Sequence, residues 1–459
     1  MTEIQATLDA ALEYVRSNDG NVSKVDVLCN NANEGFGLFA SESITKGEVL
    51  MTIPFNLCIS VKSVAESAIG EIFTDNPSLL KYQDEVLAIA LMYSKTNPGT
   101  QWGPHVATLP DAFNTTIYWT DEQLEELKPS PVFQLSKMMV KQIENDWQQI
   151  HEPLKQNYPA LLGGTSLAHY KWAMSIVYSR AIGVTRRAEY IRVVAPVMDM
   201  ANHSPDVGTT ASDSFVYDDA SDAMTLTSAG DMELGAEVFV CYGSYPNAKL
   251  AHTYGFVLPT SNPTQCLDFW TRCPPSVVAA EHKNSLLMGN KLTAYQGYDF
   301  VGTLRDDWIS PALLTTVRVI QATQDELPQL PRAFNGAMVS VRNEAACYGS
   351  LKQLLIARMR PERVEEDRRE LAALLLELEA AQPDASVDYV FDGLVAGAGA
   401  DATARYRRLM ALTVRSDEAA LLVTVCGLLD QWTAALQAAM EGYRPPDADP
   451  EYRRRFALP

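Results

Sequence analysis

Strand-like runs stand on both sides of a long helical stretch, and that arrangement limits the folds open to this chain more than any other feature. From 25 to 60 the sequence carries short apolar runs at 25–28, 37–40 and 49–53, separated by the turn formers Asn33-Glu34-Gly35 and Lys46-Gly47-Glu48. Helical spacing of apolar residues then takes over at 79–95, with Leu79, Leu80, Val86, Leu87, Ile89 and Met92, and again at 131–158 and 167–182. Strand texture resumes at 192–200, 214–218, 223–227 and 237–242. Strands need partners, because an open edge invites association. The two strand-rich stretches are therefore expected to pair as one β-domain, over about 20–260, interrupted by a helical insert at about 79–190.

Leu8, Leu12 and Val15 give a short N-terminal helix within 1–19, closed by the turn formers Ser17-Asn18-Asp19-Gly20-Asn21. Past about 275 the chain is helix-prone to its end. It is acidic and leucine-rich at 363–381 and apolar-periodic at 419–439, so 275–459 is expected to be an all-helical second domain. Two domains also suit a chain of 459 residues, which exceeds what one core organises. The fold class is α+β. The run 393–404, Gly-Leu-Val-Ala-Gly-Ala-Gly-Ala-Asp-Ala-Thr-Ala, lacks the Lys-Ser/Thr of a phosphate loop and reads as a flexible loop.

A net charge of −20 argues against nucleic acid, which needs a basic field. It serves solubility first, and would also attract a basic substrate. No stretch approaches eighteen consecutive apolar residues, and Met1-Thr2-Glu3-Ile4 lacks the features of a signal or transit peptide. The expectation is a protein without membrane partners, in cytoplasm or nucleus. Seven scattered cysteines with no C-x-x-C fit reduced thiols and no metal.

The residues that carry chemistry fall in 197–205, Val-Met-Asp-Met-Ala-Asn-His-Ser-Pro, and in 237–243, Glu-Val-Phe-Val-Cys-Tyr-Gly. On a helix Asp199 and His203 would share a face, as in some metal sites. The sequence 193–198 reads instead as a strand and 202–205 as a turn, so Asn202 and His203 are expected to stop the strand and offer backbone groups. Tyr242 closes a strand as packing or as a phenol aimed into a cleft. Arg180 ends a helix, where it caps carbonyls or meets a ligand carboxylate. Glu34-Gly35-Phe36-Gly37 is a hairpin turn or a close approach of backbone to ligand.

Taken in order, Gly35-Phe36-Gly37-Leu38-Phe39-Ala40, Ile44-x-x-Gly47-Glu48-Val49-Leu50, Ile53-Pro54, Trp102-x-Pro104 with Leu109-Pro110, Ser179-Arg180, Asp199-Met200-x-Asn202-His203-Ser204, Tyr242-Gly243 and Tyr254-Gly255-Phe256 resemble the SET-domain methyltransferases. The branch they resemble is that of the Rubisco large-subunit lysine methyltransferase, with a helical insert and a helical C-terminal substrate-binding domain. The motifs cover roughly 20–260. Beyond them the likeness lies in helical character and position alone.

The resemblance implies S-adenosylmethionine as cofactor, no metal, and a lysine in a protein substrate as acceptor. It implies that Glu34, Gly35 and Phe36 line the cofactor, that Arg180 faces its carboxylate, and that Asn202 and His203 hold its amino group and adenine. Asp199 would shape the turn, Tyr242 would be the catalytic phenol beside the moving methyl, and Ile182, Tyr254 and Phe256 would contact the acceptor. These roles suit the chemistry, which needs near-attack alignment and an amine stripped of its proton. A second branch methylates a histidine of actin and has a polar Gln-Asn after the arginine, where this chain has Ala181-Ile182. Losing that amide favours lysine. A histidine acceptor and a catalytically silent SET-like binding module remain the alternatives, separated by cofactor binding and the identity of the methylated residue. A hydrolase built on Asp199 and His203 would instead bind metal.

Overall fold

Antiparallel ladders build the first half of the molecule. In the computed structural model, which describes residues 3–31, 34–271, 273–290, 292–294, 299–305, 308–381 and 400–440, the helix Glu3–Arg16 precedes strands β1 (Val25–Asn31), β2 (Glu34–Ala40) and β3 (Val49–Pro54). β1 and β2 form a hairpin with Val25 opposite Ala40. β3 pairs with β8 (Ala223–Thr227), which also pairs with β7 (Phe215–Asp218). Strands from either side of the helical stretch thus share one sheet, as an interrupted β-domain requires. Gly47, at φ +81°, makes the turn into β3 in a conformation that other residues adopt at a cost.

The helical insert has its own core. In the helix Gln83–Thr96 every residue from Val86 to Met92 is buried, and Ala173, Ile176 and Val177 of the helix Leu167–Arg180 belong to the same cluster. Burial of each large aliphatic side chain stabilises by about 1.5–3 kcal/mol. Ser166 caps the second helix by accepting the His169 N–H. That helix ends at Arg180, two residues short of the expected span. β4 (Ile182–Arg186) follows at once, paired with β5 (Glu189–Val193).

Contacts divide the chain into two units. The first comprises Met1–Glu126, Gln134–Pro263 and Leu378–Met410, and the second Leu127–Phe133, Thr264–Glu377 and Ala411–Pro459. In the second unit the helices Pro311–Gln321 and Val341–Met359 pack with the C-terminal part of the helix Ala400–Met440 around Leu313, Val317, Leu351, Leu355, Val425 and Leu429. The α+β class stands, with one correction to the all-helical expectation. This unit also holds an antiparallel sheet of β10 (Cys266–Thr271), β11 (Thr293–Ala294), β12 (Asp299–Arg305) and β13 (Trp308–Ile309). The two longer strands, Cys-Leu-Asp-Phe-Trp-Thr and Asp-Phe-Val-Gly-Thr-Leu-Arg, do not alternate apolar and polar residues cleanly, so they give no clear period of two.

The helix Ala400–Met440 is long and apolar enough to cross a membrane by length and composition. Its Leu421, Leu422, Val425, Leu429 and Leu436 instead lie in the core of the second unit. Residues 400–404, expected as loop, form its first turn. The rest of that expected loop lies outside the described residues.

Candidate active site

Two dipeptide strands bring the chemistry-bearing segments together. β6 (Asn202–His203) runs parallel to β9 (Phe239–Val240), with Asn202 opposite Phe239 and His203 opposite Val240. The strand expected over 193–198 stops early, and the turn expected at 202–205 opens as a strand. Val193 ends β5 and Val194 bridges Ile59, then Val197 takes φ +65°, Met198–Met200 form a short 3-10 turn, and the chain extends again at β6. A β-branched residue at positive φ is strained. The parallel pairing, with the Ser204 N–H donating to the Val240 carbonyl, overrides the local turn preference of Asn-His-Ser-Pro.

The pairing fixes a small network. The Tyr242 N–H donates to His203 Nδ1 at 3.0 Å, and the Tyr242 hydroxyl donates to the Ala201 carbonyl at 2.9 Å. Asn202 donates its amide to Glu237 Oε1 at 2.8 Å. Gly37 of β2 lies beneath this pair, since a Cβ there would come within 3.0 Å of Glu237 Oε1 and 3.3 Å of Asn202 Nδ2. The rings of His203 and Tyr242 stack with centroids 5.1 Å apart, Tyr242 and Tyr254 at 5.0 Å, and Phe256 stands edge-on to Tyr254 at 6.2 Å. Burial lowers the His203 pKa to about 4, so the imidazole is neutral at physiological pH and its Nδ1 can accept. Burial also raises Tyr254, with the neighbouring Tyr245 adding to the shift.

In front of this network lies a cavity of about 750 Å³. Arg180, Ile182, Asp199, Tyr242 and Tyr254, all singled out in the sequence, line it. Arg180 donates one N–H to the Asp199 carbonyl at 2.7 Å, leaving the remainder of its five-donor fork for other partners. The Asp199 carboxylate is itself buried, 3.3 Å from His105 Nε2 but not aligned for a hydrogen bond.

Other residues singled out in the sequence stand behind or beside the wall. Asn202 and His203 lie in β6, Phe256 touches the rings of His203 and Tyr254, and Phe36 packs against the first core. Glu34 and Gly35 belong to β2, where Glu34 pairs with Asn31.

Sequence reasoning missed several lining residues, among them Tyr178, Tyr190, Arg192, Thr210 and Tyr245. Two glycines admit the tyrosines. A Cβ on Gly183 would meet the Tyr190 hydroxyl at 2.2 Å, and Gly243, at φ +146°, would meet the Tyr245 ring at 2.5 Å. The pattern Gly243-Ser244-Tyr245 beside Tyr242 was an available signal. Tyr178 and Tyr190 gave none, since they look like any amphipathic helix or hairpin residue.

Residues 35–243 match the family described as SET domain, and residues 274–421 match Rubisco LSMT substrate-binding. Among curated proteins, the chain is 27% identical over 235 residues to an actin-histidine N-methyltransferase of Danio rerio, covering 50% of this chain and 39% of that protein. It is 28% identical over 251 residues to the chloroplastic Rubisco large subunit N-methyltransferase of Pisum sativum, covering 52% and 49% respectively. The aligned region is thus less than half of either relative. Among solved structures, the SET domain of LSMT bound to lysine and AdoHcy superposes with a TM-score of 0.74 at 20% identity, covering 99% of this chain and 96% of that one. Rubisco LSMT bound to AdoMet gives 0.71 at 20% identity, covering 98% and 95%. At such identity the structural likeness establishes a shared fold.

Proposed function

Because this chain carries a SET domain followed by a Rubisco LSMT substrate-binding domain, we propose that it is a protein methyltransferase that uses S-adenosylmethionine and methylates a lysine side chain. The observation that carries this reading is the position of Tyr242. Its hydroxyl is held on the Ala201 carbonyl at 2.9 Å, at the wall of a cavity lined by four more tyrosines, Tyr178, Tyr190, Tyr245 and Tyr254.

The residues present suit the cofactor. Arg180, with donors to spare, matches a carboxylate, and Gly243 leaves the Tyr245 ring the place in the cavity wall that a Cβ would take. When bound, S-adenosylmethionine supplies an electrophilic methyl on a sulfonium. Tyr242 and the Ala201 carbonyl orient the incoming amine, and the aromatic faces favour the positive charge that it gains. The ammonium form of lysine loses its proton to solvent before transfer, a loss eased by desolvation in the tyrosine-lined cavity.

Ile182 supports lysine over histidine, because this buried aliphatic wall offers no hydrogen bond to an imidazole. The similar identity to the Danio rerio relative keeps histidine as the second reading. Labelled-methyl transfer in a whole-cell extract, followed by mass spectrometry of the modified residue, separates them. Methyl groups on a lysine Nε are expected. Methylhistidine would overturn the acceptor, and no calorimetric binding of S-adenosylmethionine would overturn the cofactor.

A further inference from the structure

The helix Leu167–Arg180 ends abruptly where the cavity begins. Ala181 leaves it in an extended conformation, φ −72° and ψ 118°, and Ile182 opens β4 at once. No left-handed glycine folds the chain back over the last turn, so the carbonyls there need donors from elsewhere. Arg192 supplies them. It stands on β5 opposite Gly183 and lines the cavity together with Arg180. Its Nη2 donates to the Val177 carbonyl at 2.9 Å and makes a longer contact of 3.4 Å with the Ala181 carbonyl. The helix dipole also favours a cation at that end.

The same guanidinium is fastened on its other side. Nη1 donates to the carboxylate of Asp84, in the first turn of the helix Gln83–Thr96. Gln83 beside it accepts the Arg192 N–H at 2.7 Å and donates to the Tyr190 carbonyl at 3.1 Å, bonding β5 as a neighbouring strand would. Both helices share the core of the insert, so Arg192 is braced between two elements that packing already holds. Its two terminal nitrogens are engaged within the protein, whereas the Arg180 fork, held at the Asp199 carbonyl, keeps donors for a ligand.

We infer that Arg192, fastened by Asp84, is a positioning residue for Arg180. It fixes the last turn of the helix, residues 177–181, and so sets where the Arg180 guanidinium stands in the cavity wall. The inference rests on the proposed S-adenosylmethionine reading, in which Arg180 meets the carboxylate of the cofactor. A guanidinium fork pairs with a carboxylate in a narrow geometry, so a displaced turn costs affinity for that group and not for the rest of the ligand.

Calorimetric titration of the full-length chain with S-adenosylhomocysteine, and with its decarboxylated analogue S-adenosylthiopropylamine, reads the discrimination for the carboxylate as a ratio of affinities. Loosening of the cavity as a whole weakens both ligands alike and leaves that ratio unchanged. Asp84→Ala is expected to lower the ratio by about threefold and Arg192→Met by about tenfold, the latter the equivalent of one charge-assisted hydrogen bond. The direction for Asp84→Ala is the decisive readout, because removing an acid would by charge alone favour an anionic ligand. In an Arg180→Met background neither substitution is expected to lower the ratio further, since the effect travels through Arg180. Arg186→Met, which removes an arginine of the same hairpin that bonds Asp222, is expected to keep the parent ratio. A ratio unchanged or raised in Asp84→Ala, a further loss in the Arg180→Met background, or an equal loss in Arg186→Met would overturn the positioning role while the parent still binds S-adenosylhomocysteine. Failure of the parent to bind it would overturn the cofactor reading, and the positioning role with it.

Discussion

Tyr242 concentrates the roles that single residues play in this cavity. Its hydroxyl is spent on the Ala201 carbonyl, its N–H on His203, and its ring on His203 and Tyr254. Tyr242→Phe removes the first of these alone. Turnover is expected to fall by at least tenfold while calorimetric affinity for S-adenosylmethionine stays within a few fold, and an unchanged rate would remove Tyr242 from the chemistry. Asn202→Ala deletes a charge-assisted hydrogen bond to Glu237, worth about 1.5–3 kcal/mol. Urea denaturation should register that loss, together with weaker cofactor binding. Gly243→Ala forces a Cβ into a positive φ and against the Tyr245 ring, a strain of roughly 1–3 kcal/mol. Cofactor affinity should fall more than stability does, because Tyr245 can move only by changing the cavity wall.

At the scale of elements, the parallel contact of β6 with β9 joins residues nearly forty positions apart. The run 237–242 is legible as a strand, but Asn202-His203 reads as a turn, and no local pattern connects the two. The helices and hairpins were legible because each satisfies its own period. Leu8, Ala11 and Val15 are buried along the helix Glu3–Arg16, and Val27 and Leu38 along the β1–β2 hairpin. In the second unit, the helices Pro311–Gln321 and Val341–Met359 are fastened by Arg318, which donates to both Glu344 oxygens at 2.8 and 2.6 Å while Tyr348 donates to the same carboxylate. All three side chains are buried. Arg318→Met leaves the Glu344 charge in the core, and thermal unfolding should show a loss of about 3–5 kcal/mol. A loss below 1 kcal/mol would mean that the carboxylate finds other compensation.

At the scale of the whole molecule, buried histidines of the first unit and a buried acid of the second respond to pH in opposite senses. His203 and His252 in the first unit are held by burial at about 4, below the ordinary 6.5. The unfolded chain therefore binds more protons between those values, and the stability associated with neutral histidines is complete above 6.5 and lost as pH falls to about 4. Glu418 in the second unit is raised by burial from 4.5 to about 7. Its contribution is complete below 4.5 and is lost as pH rises through 7. Calorimetric unfolding should be less stable at pH 5 than at pH 6.5. Glu418→Gln should raise stability at pH 8.5 and have little effect at pH 5, and no gain at pH 8.5 would contradict the buried acid.

The sequence by itself determined where strand and helix texture alternate and the order of the motifs, because period, turn chemistry and motif order are local quantities, and the resemblance those motifs carry named five residues that line the cavity. Only the tertiary structure decided that Asn202-His203 is a strand, that Asn202, His203 and Phe256 stand behind the cavity wall, and that Tyr178, Tyr190 and Tyr245 join Tyr242 and Tyr254 there. The physical reason is common to all of them. A side chain's exposure, partners and charge state depend on what distant segments pack against it, and that packing is fixed by pairing between residues that no local pattern connects.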